Sequence, residues 1–152
     1  MAAGLTIRVE FLDAFTQRFE EAIASTTSEH AFVPDLFLDT RLDLETLSPA
    51  TMEDIETLEP YGQGNPRPLF YGESLEVVSS RIVGEHHLKL ALRERGKRKV
   101  FDAIGFRKAE QQPPPGASVD VAFTPEIGVW DGYQRLQLVI RDLRESNTKS
   151  ES

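Results

Sequence analysis

The stretch FYGESLEVVSSRIVGEHHLKLALRERGKRKVFDAIGF, residues 70–106, decides the fold. Leu88, Leu90 and Leu92 alternate with His87, Lys89, Ala91 and Arg93, a period of two that puts leucines on one face of a strand and cations on the other. Gly84 and Gly96 break the run at the positions where hairpin turns belong. The pattern predicts three consecutive strands, near 70–83, 87–94 and 98–106. Downstream, Val119, Val121 and Phe123 alternate with Asp120 and Ala122, and Leu136, Leu138 and Ile140 with Gln137, Val139 and Arg141. These predict strands at 118–124 and 134–143, separated by turns at Pro113-Pro114-Pro115-Gly116 and Asp131-Gly132.

Five short strands with a long first one fit a small closed barrel of the OB type, though a β-sandwich satisfies the same alternation. The part before residue 59 reads differently. A short strand is expected at 4–9. A helix is expected at 11–25, where Leu12, Phe15, Phe19 and Ile23 share one face. A half-buried strand is expected at 36–43. Ser48-Pro49 reads as the cap and first residue of a helix reaching about Leu58. The segment EPYGQGNPRP at 59–68 can continue neither helix nor sheet. The expected class is therefore α+β: an incomplete αβ segment at 1–58, a linker at 59–68, the barrel at 69–144 and a disordered tail at 145–152. Residues 69–143 are expected to fold independently, with 1–58 the weaker part.

Composition excludes several functions. The 152 residues include no cysteine, which removes disulfides, thiolate nucleophiles and zinc ribbons. There is no signal-like apolar run at the start and no stretch of the length a membrane span needs. The expected location is the cytoplasm.

The net charge of −8 is unevenly spread. Residues 1–66 carry 3 Lys/Arg against 13 Asp/Glu, whereas residues 81–108 carry 9 basic residues against 3 acids. A basic patch of this kind suits a polyanion even on an acidic chain. Candidate contacts to a nucleic-acid strand are Arg81, His87, Lys89, Arg93, Lys97, Arg98, Lys99 and Arg107. Phe101 is the expected base-stacking ring, on the reading that Val100, Ile104 and Phe106 point into the core.

Other motifs carry less. Gly62-Gln63-Gly64-Asn65-Pro66-Arg67 begins like a dinucleotide-binding turn, but Arg67 replaces the third glycine and Pro66 blocks the helix, so it reads as an anchoring linker. Adjacent His86 and His87 point to opposite faces of a strand, and the third histidine, His30, is distant in sequence, so no metal site is expected. Asp35, Asp39 and Asp43 share a parity but lie about 13 Å apart from one to the next, a solvated face. No catalytic constellation is found.

Several segments resemble the C-terminal part of the bacterial RecJ family, the single-strand-specific 5′→3′ DNA exonucleases. They are LEPYGQGNPRPLF at 58–70, RIVGEHHLKL at 81–90, DAIGF at 102–106 and WDGYQRLQLVIRD at 130–142, with MAAGLTI at 1–7. The resemblance implies the end of a DHH-associated domain followed by an OB domain. It implies that the family's catalytic aspartates and histidines, which hold manganese or magnesium, belong to an upstream domain absent here. The chain is then expected to bind no cofactor, to be no enzyme by itself, and to act as the single-stranded-DNA-binding module of a repair and recombination exonuclease. The alternative is an adaptor whose OB surface binds a protein such as a single-strand-binding protein. Two positions depart from the family pattern. Gly128 stands where Asn is frequent and Asp131 where a basic residue is frequent, so the resemblance does not extend to DNA contacts from that hairpin.

Overall fold

Phe70–Val83 forms the long strand β2, around which the barrel is organised. The computed structural model describes residues 4–26, 35–130 and 132–147. They fall into two units, one ending at Leu36 and one beginning at Phe37. In the first, helix α1 (Leu12–Thr26) stacks Phe15 on Phe19 with ring centroids 5.6 Å apart. The strand expected at 4–9 is instead extended chain followed by a 3-10 turn at Val9–Phe11. His30 and residues 1–3 and 148–152 lie outside the described residues, so the expected His30 loop, the MAA of the opening motif and most of the expected tail do too.

In the second unit, β1 (Thr40–Arg41) pairs parallel with the start of β2. It is followed by helix α2 (Pro49–Glu56) and then by β3 (His87–Arg93), β4 (Phe101–Gly105), β5 (Ser118–Trp130) and β6 (Tyr133–Glu145). The sheet order is β1-β2-β3-β4-β6-β5, and β5 returns to β2 to close a ring. All neighbours in the ring are antiparallel except β4 and β6, which run parallel. This is the five-stranded OB-type barrel, preceded by a short αβ segment. Gly84, Gly96, Gly116 and Gly132 all turn with positive φ, between 56° and 87°, which only glycine adopts without strain.

The barrel interior follows the predicted alternation. Leu88, Leu90 and Leu92 of β3 meet Val77 of β2, Val119, Val121 and Phe123 of β5, and Leu138 and Ile140 of β6. Each such buried side chain contributes about 1.5–3 kcal/mol by leaving water. Between β4 and β5 the chain makes only a 3-10 turn, Ala109–Gln111. The barrel end beside the 94–100 hairpin is closed from elsewhere: Leu44 and Leu47 are fully buried and Met52 nearly so, all in the barrel core. Ser48 caps α2 by accepting the Thr51 N–H at 3.2 Å. The Glu94 carboxylate accepts the Leu44 N–H, and Lys99 Nζ donates to the Leu47 carbonyl at 2.8 Å.

The compact unit that holds the barrel is wider than the barrel strands alone. The core unit starts at Phe37, not after the proline-rich segment, because residues 44–52 supply side chains that the barrel cannot provide for itself. Residues 69–143 thus share their core with Leu44, Leu47 and Met52. The 59–68 segment is a fixed turn: Gly62 and Asn65 exchange backbone hydrogen bonds of 2.8 and 3.2 Å, Asn65 Nδ2 donates to the Leu58 and Pro60 carbonyls, and Tyr61 Oη donates to the Ile55 carbonyl at 2.6 Å. The strand expected over 36–43 shrinks to two residues. Phe37 is left 87% exposed, and Leu36 and Leu38 are not buried.

Candidate nucleic-acid interface

Register places the outward side chains in rows. Arg81 of β2 stands directly opposite Lys89 of β3, and Lys89 opposite Ile104 of β4. The next row runs Ser79, Ala91, Asp102 and Gln137 across β2, β3, β4 and β6. Two cationic side chains thus stand directly opposite each other on the outward side of β2 and β3.

Beyond Gln137 the sheet narrows to a two-stranded arm, β5 and β6 paired alone as far as Trp130 and Tyr133. Because β6 runs parallel to β4, the arm extends toward the same end as the 94–100 hairpin. Tyr133 and Arg135 share the outward parity of Gln137, and Tyr133 is 71% exposed. A shallow groove holding about 90 Å³ lies between the barrel face and the arm, lined by Lys89, Asp102, Gly128, Arg135, Leu136 and Gln137.

The predicted residues separate into three groups. Arg81 and Lys89 belong to this face, and Lys97 and Arg98 project from the exposed hairpin beside it. Among the described residues, Arg81, Lys97, Arg98 and Arg135 make no ion pair. His87 and Arg107 sit together at the opposite end of β3. His87 Nδ1 accepts the Arg107 N–H at 3.2 Å while its ring meets Phe106 edge-on at 5.4 Å. The imidazole therefore holds the left-handed backbone of Arg107, φ 57°, and leaves the Arg107 side chain exposed.

The third group is committed elsewhere. Arg93 holds Glu76 through two hydrogen bonds of 2.9 and 2.7 Å. These bonds keep the Glu76 carboxyl below its ordinary range against an opposing desolvation, and they raise the Arg93 guanidinium. Lys99 binds the Leu47 carbonyl and lies 4.7 Å from the centre of the Phe101 ring. Phe101 itself is 4% exposed, in the core. It cannot stack a base. Cross-strand pairing with Leu92 sets its direction, and the same register turns Ile104 outward. Phe106, taken as core, is 56% exposed.

The sequence reading ends the fourth strand at 124, and so does not foresee the arm that brings Gly128 opposite Arg135 and Trp130 opposite Tyr133. The signal was present: Asp131-Gly132 between alternating runs is a strong hairpin turn, and it predicts strands continuing to the turn. Among the described residues no group of three or more His, Asp or Glu side chains converges to hold a metal, and no helix is long and apolar enough to cross a membrane.

Comparison with known proteins agrees with this architecture. A family model described as the RecJ OB domain matches residues 38–142. The single-stranded-DNA-specific exonuclease RecJ of Bacillus subtilis (strain 168) is 27% identical over 146 residues, covering 93% of this chain and 18% of that protein. RecJ of Escherichia coli (strain K12) is 31% identical over 150 residues, covering 94% and 25%. The crystal structure of RecJ from Thermus thermophilus in complex with Mn2+ superposes with a TM-score of 0.67 at 27% identity, over 93% of this chain and 20% of that one. The chain thus spans a quarter or less of the length of these relatives.

Proposed function

The chain belongs to the RecJ OB domain family, and on that premise we propose that its outward β2–β3–β4 face, with the β5–β6 arm, binds single-stranded DNA. The carrying observation is the Arg81–Lys89 pair, two cations held side by side across strands. Lys97 and Arg98 continue the positive path toward the arm, where Tyr133 offers an exposed ring. Cations along a groove with an aromatic platform suit a strand whose phosphates and bases are both accessible; binding sites of about 4–16 nucleotides are usual for such barrels.

In this reading the module holds the strand for a 5′→3′ exonuclease of DNA repair and recombination in the bacterial cytoplasm. It does not hydrolyse DNA by itself, and the manganese or magnesium of that chemistry is held by residues outside this chain. His87 and Arg107 contact the strand's far end only through the Arg107 side chain, since the imidazole is engaged. Arg93, Lys99 and Phe101 support the face from within the fold.

Anisotropy of a labelled single strand, titrated across salt concentrations, tests this. Log affinity should fall linearly with log salt, by about 0.7 per phosphate contacted. Reversing both Arg81 and Lys89 to Glu should weaken all sequences alike and flatten the slope. Absence of binding at low salt would remove the DNA reading and leave the protein-adaptor reading, with a single-strand-binding protein as its occupant.

A further inference from the structure

We infer that the groove between β4 and the β5–β6 arm is a slot for one nucleobase carrying an exocyclic amino group, an inference that rests on the single-strand reading above. The lining chemistry is the reason. A groove meant only for phosphate would carry donors alone, yet a carboxylate, Asp102, stands in its wall beside Lys89 and Arg135. That carboxylate repels phosphate and accepts from amino groups. Gln137, directly across from Asp102, can do either. The set therefore offers an acceptor beside donors, as a base edge requires.

Gly128 shapes the slot. It pairs with Arg135 across the arm, and a Cβ there would meet its nearest atoms, the Arg135 carbonyl and Gln137 Oε1, at 4.0 Å. Its conformation needs no glycine, for its φ is not positive. What the missing side chain leaves is a flat stretch of strand against which a ring can lie. The groove holds about 90 Å³, which suits a single planar group and not a stacked base pair. Cytosine fits well: its amino group faces the carboxylate while its neighbouring acceptors face Arg135. Thymine presents N3–H flanked by two carbonyl oxygens, and its approach sets a carbonyl dipole against Asp102.

A homopolymer fills the slot identically in every register, so oligo-dC and oligo-dT of equal length are the probes. The full chain should bind oligo-dC about tenfold more tightly than oligo-dT at one salt concentration, the size of one hydrogen bond to a charged group. Asp102→Asn should bring the ratio near one. Gly128→Val, which meets no clash at Cβ and suits a strand, should do the same by filling the slot, and it stands in should Asp102→Asn fail to fold. Equal binding of the two homopolymers, or a dC preference that survives in a folded variant, overturns the slot while leaving the cationic face intact. Failure of both homopolymers to bind at low salt overturns the single-strand reading and the slot with it.

Discussion

Arg93 and Glu76 form a fork-to-fork pair across β3 and β2, each guanidinium nitrogen 2.7–2.9 Å from its own carboxylate oxygen. A guanidinium already matched to a carboxylate has little left for a phosphate. Arg93→Ala should therefore change the salt slope of single-strand binding by well under one unit. Arg98→Ala, which removes a cation without an ion pair, should reduce the slope by about 0.7. Equal effects in side-by-side titrations would show that the Glu76 pair opens on binding.

Phe101, the ring expected to stack bases, lies in the core, and Tyr133 is the exposed ring. Phe101→Ala should cost about 3–5 kcal/mol of stability, as deletion of a buried ring does. Tyr133→Ala should leave the denaturation midpoint unchanged and cost about 1–3 kcal/mol in binding, with no change of salt slope. Chemical denaturation and anisotropy on both variants separate the two effects. A Phe101→Ala protein of undiminished stability would contradict its placement in the core.

Leu44, Leu47 and Met52 close the barrel end, so the segment carrying them is part of the folding unit. A chain of residues 37–152 should melt cooperatively, whereas residues 67–152 should show no cooperative transition by calorimetry. Leu47→Ala should cost about 2–5 kcal/mol. A sharp melt for residues 67–152 would mean that the barrel closes without them.

Asp120 ties three elements together. It accepts the Ser74 N–H at the β2 bulge at 3.0 Å, the Ser146 hydroxyl at 2.6 Å and Arg144 Nε at 3.2 Å. Burial pushes its carboxyl up, but the bonds from Ser146, Ser74 and Arg144 outweigh it and hold the group below its usual range. A lowered folded pKa contributes stability that is fully present above the unfolded value of about 3.9 and is lost as pH falls through the folded value. Asp120→Asn should flatten that acid limb and lower stability at neutral pH by about 1–3 kcal/mol. Parallel acid limbs in denaturation curves for both proteins would assign the pH dependence to other carboxylates.

Legibility from sequence followed the strength of the alternation. Leu88, Leu90 and Leu92 carry one apolar parity, so β3 and its outward Lys89 were readable. The next strand, Phe101-Asp102-Ala103-Ile104-Gly105, sets Asp102 beside an apolar Ile104 on one parity, so its alternation is weaker than that of β3. The inward parity is set by pairing: Leu92 faces inward, and Phe101 opposite it must too. Counting the strand from residue 98 put Val100, Ile104 and Phe106 in the core and Phe101 outside, the reverse of the fold. The placing of residues 44–52 was beyond local reading for a similar reason. Nothing near Leu44 or Leu47 in sequence says that a barrel formed further along the chain will lack a helix of its own.

The residues that stopper the barrel are synthesised before the barrel exists. Leu44 leaves the ribosome ahead of Leu138 and Ile140, with which it shares a core. At translation rates of about 5–20 residues per second, that interval is roughly 5–20 seconds. Through it, two leucines and a methionine have no completed cavity to enter. The final strand, β6, joins β4 in parallel and β5 in antiparallel, so the ring closes only when nearly the whole chain has emerged. Contacts so distant in sequence slow folding. Nascent-chain protection of Leu44 and Leu47 should thus appear late and all at once, and a message cut within β6 should yield a chain that is held by chaperones instead of a smaller stable domain.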